Sequence, residues 1–187
     1  MISLPWRKVG IDGGPEIGTS ETIAELEKLR ELATGHIALE VGSAYGMSAI
    51  TMAKTAKHVF AIDPHIGLLT VQLGPHTNRD SLSDMRKNLR EYDCEKKVTI
   101  LLGYSYDILP MLASAGAKFG CIFIDGDHNY PAVFDDARWS NELVAPGGVI
   151  AYHDYDEMSC PGVRQALDEM YPDGPDGLVD TLFVKRA

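Results

Sequence analysis

The chain reads as an α/β fold built on a mainly parallel sheet, for three reasons. Apolar runs of strand length alternate with stretches of helical periodicity along most of the 187 residues. One run, Cys121-Ile-Phe-Ile124, is continuously apolar up to Asp125, as a strand buried on both faces requires. Four strand segments end in polar residues: Glu40, Asp63, Asp125 and the pair His153-Asp154. In an open parallel sheet those ends share one edge, and the ligand crevice lies outside it.

Taken in order, Ser20 is placed to cap a helix with Glu21 in its first turn. Ile23, Leu26, Leu29 and Leu32 follow at helical spacing, and Gly35 closes the helix. Ile37–Val41 is the first strand. The turn from Gly42 to Gly46 opens directly into a helix over Met47–Lys54, and His58–Asp63 is the second strand. Residues 64–80 read as a loop, with Pro64, Gly67, Gly74, Pro75 and Asn78. Ser81 and Asp84 form a capping pair for a helix whose apolar stripe is Leu82, Met85 and Leu89. Val98–Leu102 is the third strand, and Ser105–Ala115 a helix. Pro131 suits the first turn of a helix that runs to about Glu142. Pro146-Gly-Gly148 turns into a strand over Val149–Tyr152. Val163, Ala166, Leu167 and Met170 mark the last helix. Leu178–Lys185 is the final strand, after the breaker-rich Pro172–Gly177.

Composition narrows the function. The length suits one domain, residues 1–187, with a sizeable core. A formal net charge of −10 argues against a broad electrostatic grip on nucleic acid or anionic lipid. No apolar run approaches the roughly 20 residues of a membrane helix. The N-terminal residues lack the order of a secretory signal. Cys94, Cys121 and Cys160 are odd in number and include no C-x-x-C pair, which fits a reduced cytoplasm.

The segment Ile37 to Gly46 is the most specific. A dinucleotide fingerprint needs G-x-G-x-x-G, and position 44 is Ala. What remains is an acidic strand end with a G-x-x-x-G turn, suited to a ligand carrying ribose and a cationic amino acid. Asp63, one strand–helix unit later, has the geometry to accept both hydroxyls of a ribose. Its bland reading is a turn-forming Asp-Pro. Gly103-Tyr-Ser105 offers a ring and a hydroxyl for framing a purine, and a helix cap at Ser105 explains it equally well. Phe123-Ile-Asp-Gly-Asp-His-Asn-Tyr130 crowds Asp125, Asp127 and His128 into one loop, with Tyr152-His-Asp-Tyr155 one strand further on. These groups suit a hard divalent cation, or a general base with His153 as candidate, or a polar cluster that braces loops.

In this order the segments resemble the class I S-adenosylmethionine-dependent methyltransferases. The likeness is greatest to the small O-methyltransferase branch that includes macrolide-sugar and aminocoumarin-sugar enzymes. It is carried by Leu39-Glu-Val-Gly-Ser-Ala-Tyr-Gly-Met-Ser48, Ala61-Ile-Asp-Pro64, the two segments just named, and Ala145–Tyr155 with Pro161-Gly-Val-Arg164. It covers roughly residues 20–170. The resemblance implies a Rossmann-like, doubly wound, seven-stranded sheet. It implies that Glu40, Gly42, Ser43, Tyr45, Gly46 and Ser48 surround the methionine part of S-adenosylmethionine. Asp63 would hold the ribose, with Tyr104 and Ser105 near the adenine and Asp125 between sulfonium and acceptor. In metal-dependent relatives the positions of Asp125, His153 and Asp154 carry the ligands, usually all oxygen donors. His153 departs from that set, since an imidazole suits zinc, manganese or iron better than magnesium.

The resemblance further implies a small-molecule hydroxyl acceptor and a homodimer. Relatives end in an antiparallel hairpin. Here its first strand must fit into Tyr171–Gly177, so the expectation is a missing or vestigial strand and an abridged hairpin. Acceptor contacts are expected on residues 64–80, which carry His65, His76, Asn78 and Arg79, and on the loop after Tyr155. The rival readings are a non-catalytic S-adenosylmethionine-binding module or partner subunit, a nicotinamide-dependent oxidoreductase, and a metal-dependent hydrolase using Asp125, Asp127, His128 and His153.

Overall fold

The computed structural model describes residues 7–66 and 81–187. The first of these form a feature absent from the expectations above, an antiparallel hairpin of β1 (Arg7–Gly10) and β2 (Glu16–Thr19). The main sheet follows. Its strands are β3 (Ile37–Val41), β4 (His58–Asp63), β5 (Val98–Leu102), β6 (Phe119–Ile124), β7 (Val144–Tyr152), β8 (Gly177–Val179) and β9 (Leu182–Arg186). They lie in the order β5-β4-β3-β6-β7-β9-β8. The first five in that order are parallel, and β9 runs antiparallel to both its neighbours. From β3 the chain winds outward to β5 and then returns to β6. The order therefore reverses between β3 and β6, which is where an open α/β sheet opens its crevice.

Period-two alternation explains why both faces are apolar. Ala38, Val59, Ala61, Cys121 and Phe123 point to one face, and Leu39, Val41, Ile62, Ile122 and Ile124 to the other. On the first face pack α1 (Ile23–Leu32), α2 (Met47–Ala53) and α3 (Ser81–Glu91), through Leu29, Ile50 and Met85 among others. On the second pack α4 (Ser105–Ser114), α5 (Tyr130–Leu143) and α6 (Pro161–Met170), through Leu109, Leu143 and Leu167. The doubly wound, mainly parallel sheet is thus as expected. Among the described residues no helix is long and apolar enough to cross a membrane. The three cysteines are free and buried.

Three local expectations change. Helix α1 is capped by Thr22, not Ser20. Thr22 Oγ1 accepts from the Glu25 amide at 3.2 Å, and the Glu25 carboxylate accepts from the Thr22 amide at 2.7 Å, a reciprocal capping box. Strand β7 begins at Val144. Its pairing jumps from Phe119↔Val144 to Cys121↔Val149, so residues 145–148 loop out as a bulge where the Pro-Gly-Gly turn was expected.

The C-terminal hairpin is abridged, as expected, but its first strand lies at Gly177–Val179 and not within Tyr171–Gly177. Asp180 adopts φ 50°, in the left-handed region that Asp tolerates. The apolar run expected to form one strand folds back there. Leu178 pairs with Phe183 and Val179 with Leu182, so β8 is a strand of three residues.

Candidate functional site

Backbone hydrogen bonds continue past the strand ends and align them. The Asp125 amide donates to Val41 O at 2.8 Å, Gly42 to Ile62 O at 2.9 Å, and His153 to Ile124 O at 3.0 Å. Glu40, Asp63, Asp125 and His153 therefore meet along one edge, as the parallel register requires.

The turn after β3 sits against the loop after β6. Gly42 has φ 88°, and a Cβ there would lie 2.0 Å from the Asp125 carbonyl oxygen, so only glycine fits. Gly46, at φ 86°, opens α2. Asp63 braces this turn: Oδ2 accepts from the Ala44 amide at 2.8 Å, and Oδ1 from the His65 amide at 2.7 Å. The second bond is the Asx-type turn that an Asp-Pro pair favours. Each oxygen keeps a further lone pair. Ser43 turns its hydroxyl to Met85 Sδ at 3.6 Å, so it can face the turn only through its backbone. The Tyr45 carbonyl accepts from Asn88 Nδ2 at 2.9 Å. At the end of β5, Tyr104 stacks on Tyr106 with centroids 4.9 Å apart. Ser105 opens α4 with its hydroxyl beside the buried Asp136, whose carboxyl is pushed up to about 7 by burial and pulled back in part by Ser105.

Glu40 is 0% exposed, and neither carboxylate oxygen has a hydrogen-bond partner among the described residues. Burial pushes its carboxyl well above the usual range. Ser48 opposes that shift without closing an aligned hydrogen bond, while Glu21, Asp125 and Asp63 add to it. Glu21, also buried, is raised to about 7 by burial and by the Asp125 charge, with His153 pulling the other way.

The loops after β6 and β7 behave differently. His128 Nε2 lies 3.1 Å from Asp154 Oδ2 and 3.4 Å from Asp125 Oδ1. His153 Nδ1 lies 3.2 Å from Asp154 Oδ1 and 3.4 Å from Asp125 Oδ1, and its Nε2 lies 3.3 Å from Glu25 Oε2. Against burial, the Asp125 charge and the carboxylate contacts raise His153 well above the ordinary histidine value. Burial likewise opposes the rise of His128, which Asp125 and Asp154 carry. In return, and again despite burial, the imidazoles hold Asp125 and Asp154 below the usual carboxylate range. Asp154 reaches both rings because its backbone turns at φ 61° straight after β7.

Asp125, His153 and Asp154 lie together, and each offers a ligand atom within 4.8 Å of the others. Asp127 does not join them. It accepts from the Asn129 amide at 2.9 Å and from its side chain at 2.6 Å, bracing the start of α5. His65 Nδ1 meets Ser81 Oγ at 2.9 Å. His76, Asn78 and Arg79 lie outside the described residues. An open groove of about 380 Å³ lies beyond Tyr155, lined by Tyr155, Asp156, Met158, Arg164 and Asp168 among others; none of Asp125, His153 and Asp154 lines it. Glu21, Glu25 and Asp136 join the site from outside the residues that the sequence points to. For Glu25 a signal existed, since it falls in line with Leu29 and Leu32 on the apolar stripe of α1, where an acid needs a buried partner.

A methyltransferase-domain family matches residues 39–155, more than half of the chain. The chain belongs to that family, and its fold is the class I methyltransferase fold. It is 29% identical over 141 residues to the uncharacterized protein R132 of Acanthamoeba polyphaga mimivirus, covering 72% of this chain and 59% of that protein. It therefore spans less than two thirds of this relative. Among solved structures it resembles the O-methyltransferase NovP, with TM-score 0.71 and 22% identity over 90% of this chain and 81% of that one. It also resembles the O-methyltransferase TomG of Streptomyces achromogenes, solved with S-adenosylmethionine. There the TM-score is 0.62 and the identity 24%, over 82% of this chain and 68% of that one.

Proposed function

We propose that this chain transfers a methyl group from S-adenosylmethionine to a hydroxyl of a small molecule. The observation that carries the reading is the buried, unpartnered carboxylate of Glu40 behind a glycine turn that touches the Asp125 loop. A buried carboxylate without a partner is costly, and a cationic ligand group relieves that cost. The α-ammonium of the methyl donor is such a group. Gly42, Tyr45, Gly46, Ser48 and the Ser43 backbone then line the methionine part. The spare lone pairs of Asp63 suit the ribose, and Tyr104 with Ser105 frames the adenine.

The acceptor oxygen attacks the methyl carbon in line with the departing sulfur. A carbon–oxygen bond forms as the carbon–sulfur bond breaks, and the electron pair stays on sulfur. The hydroxyl proton must leave, and positioning supplies much of the rate. The carboxylates around His153 raise it well above the ordinary histidine value, which opposes its service as a general base. Its buried Nδ1 has no aligned hydrogen bond, although two carboxylate oxygens lie within 3.4 Å. A ring nitrogen that faces two carboxylate oxygens without an aligned hydrogen bond suits a divalent cation held by Asp125, His153 and Asp154. Such a cation, if bound, would lower the pKa of the acceptor hydroxyl so that its proton could pass to water. Asp125 orients the acceptor, and the groove beyond Tyr155 admits it. The net charge of −10 suits neither a nucleic-acid nor a membrane partner, and the three free thiols suit the cytoplasm.

Titration calorimetry with S-adenosylmethionine tests the donor half, and release of S-adenosylhomocysteine in a screen of hydroxyl acceptors tests turnover. Absence of donor binding overturns the reading. Binding without turnover on any acceptor, with or without added manganese, favours the non-catalytic binding module.

A further inference from the structure

Glu25 lies on α1, outside residues 39–155 that match the family, yet it reaches the centre of the site. Its carboxylate is fixed from four directions. Oε2 accepts from the Thr22 amide at 2.7 Å and faces His153 Nε2 at 3.3 Å. Oε1 accepts from the Thr181 amide and from Thr181 Oγ1, both at 2.8 Å. A capping box accounts for the first contact alone. The others join α1 to the β8–β9 turn and to the end of β7, and the side chain is 1% exposed.

This arrangement dictates how the imidazole is protonated. A carboxylate only accepts, so with no cation bound each ring nitrogen carries a hydrogen: Nε2 toward Glu25, and Nδ1 toward Asp125 Oδ1 at 3.4 Å and Asp154 Oδ1 at 3.2 Å. A cation held by those two aspartates would displace the Nδ1 hydrogen and leave the one that Glu25 accepts. Neighbouring ligand atoms around one divalent ion, each at about 2.0–2.2 Å, sit roughly 3 Å apart. A ligating histidine that gives its second N–H to a carboxylate is the usual outer-shell arrangement, and it fixes both ring orientation and basicity.

We propose that Glu25 is a positioning residue that holds His153 in its Nε2–H form, aims Nδ1 between Asp125 and Asp154, and so tunes the centre toward divalent cations that accept a nitrogen ligand. The inference rests on the divalent-cation reading above. It makes α1 part of the catalytic machinery, where a purely structural reading leaves it a covering helix.

Binding of manganese(II) to the metal-free full chain, followed by the loss of its free-ion paramagnetic signal, tests this without turnover. The wild type binds and Asp125→Asn does not. Glu25→Gln weakens binding by about 10–100-fold, the usual effect of losing an outer-shell partner. In a His153→Asp background the effect changes sign. There Glu25 faces another carboxylate, and Glu25→Gln strengthens binding. Equal affinity of wild type and Glu25→Gln overturns the proposal, as does an equal loss in both backgrounds. A wild type that binds no manganese overturns the cation reading and the proposal with it. A measurement on the unaltered chain guards against a misfolded variant. With zinc(II) bound, nitrogen-15 correlations of the His153 ring show Nδ1 ligated and Nε2 protonated; ligation through Nε2 overturns the proposal.

Discussion

On the β3 side of the crevice a buried carboxylate stands without a partner, whereas on the β6–β7 side each carboxylate at the centre meets an imidazole. Glu40 is fully buried, both of its oxygens are orphaned, and its proton is correspondingly hard to remove. Asp154 is nearly as enclosed and Asp125 is half-buried, yet both are held below the usual carboxylate range because His128 and His153 lie within 3.1 to 3.4 Å. Between Glu40 and Asp154 burial is similar and the shift opposite, so compensation rather than depth decides its direction. One half-site needs a positive charge from its ligand. The other supplies its own and keeps a single unaligned atom, His153 Nδ1. A methyl donor with a cationic amino-acid end matches the first, and an acceptor hydroxyl that must lose a proton matches the second.

The strongest way to break this comparison is Asp125→Asn, since Asp125 touches both imidazoles and its loop touches the glycine turn. Methyl transfer should fall by about a thousandfold in kcat/KM, the scale of losing a preorganised electrostatic group, while calorimetry records little change in donor affinity. If transfer and its response to added metal both survive, Asp125 has been misassigned. Glu40→Gln acts on the other half. Losing a charge-assisted hydrogen bond of about 1.5–3 kcal/mol weakens donor binding about 10–100-fold. Because burial raises the Glu40 carboxyl and a bound ammonium lowers it again, donor binding to the wild type should release protons over the pH range in which the free site holds them. Calorimetry in buffers of different ionisation heat detects that release, and Glu40→Gln should abolish it. Unchanged affinity and unchanged proton release in the variant would assign the ammonium elsewhere.

The positions of these groups were legible because each ends an apolar run, and a parallel sheet brings such ends together. Pairing between them was not. Asp125 and Asp127 are equivalent in sequence, two residues apart in one loop, but Asp127 is drawn off by the Asn129 amide and side chain. Within its own helix Glu25 only completes the Thr22 capping box. Its contacts to His153 and Thr181 span 128 and 156 residues and carry no local pattern. The short β8 was obscured by the breakers that precede it, and a single left-handed residue, Asp180, makes the hairpin possible.

Glu21 gives the finest test, because it feels both halves: the Asp125 charge raises its carboxyl and the His153 charge lowers it. Burial and Asp125 prevail, and the value rises from 4.5 to about 7. In the unfolded chain Glu21 loses its proton above about pH 4.5, while the folded chain keeps it to about pH 7. Across that window the unfolded state binds fewer protons, so this group makes stability fall as pH rises, and the fall ends near pH 7. At 1.36 kcal/mol per unit the ceiling is on the order of 3 kcal/mol. Glu25 has the opposite sign. Although burial opposes it, the His153 contact holds Glu25 at about 2, so its contribution is present above about pH 4.5 and is lost only in acid. Thermal unfolding of the donor-free, metal-free chain between about pH 5 and pH 8 separates the two carboxylates. Glu21→Gln should lessen the decline over that range, the rest of which Asp136 and Glu40 carry with the same sign, and Glu25→Gln should leave the slope there unchanged while lowering the whole curve. Parallel curves for wild type and Glu21→Gln would mean that Glu21 is compensated like Asp125 and belongs to the self-neutralised half of the crevice.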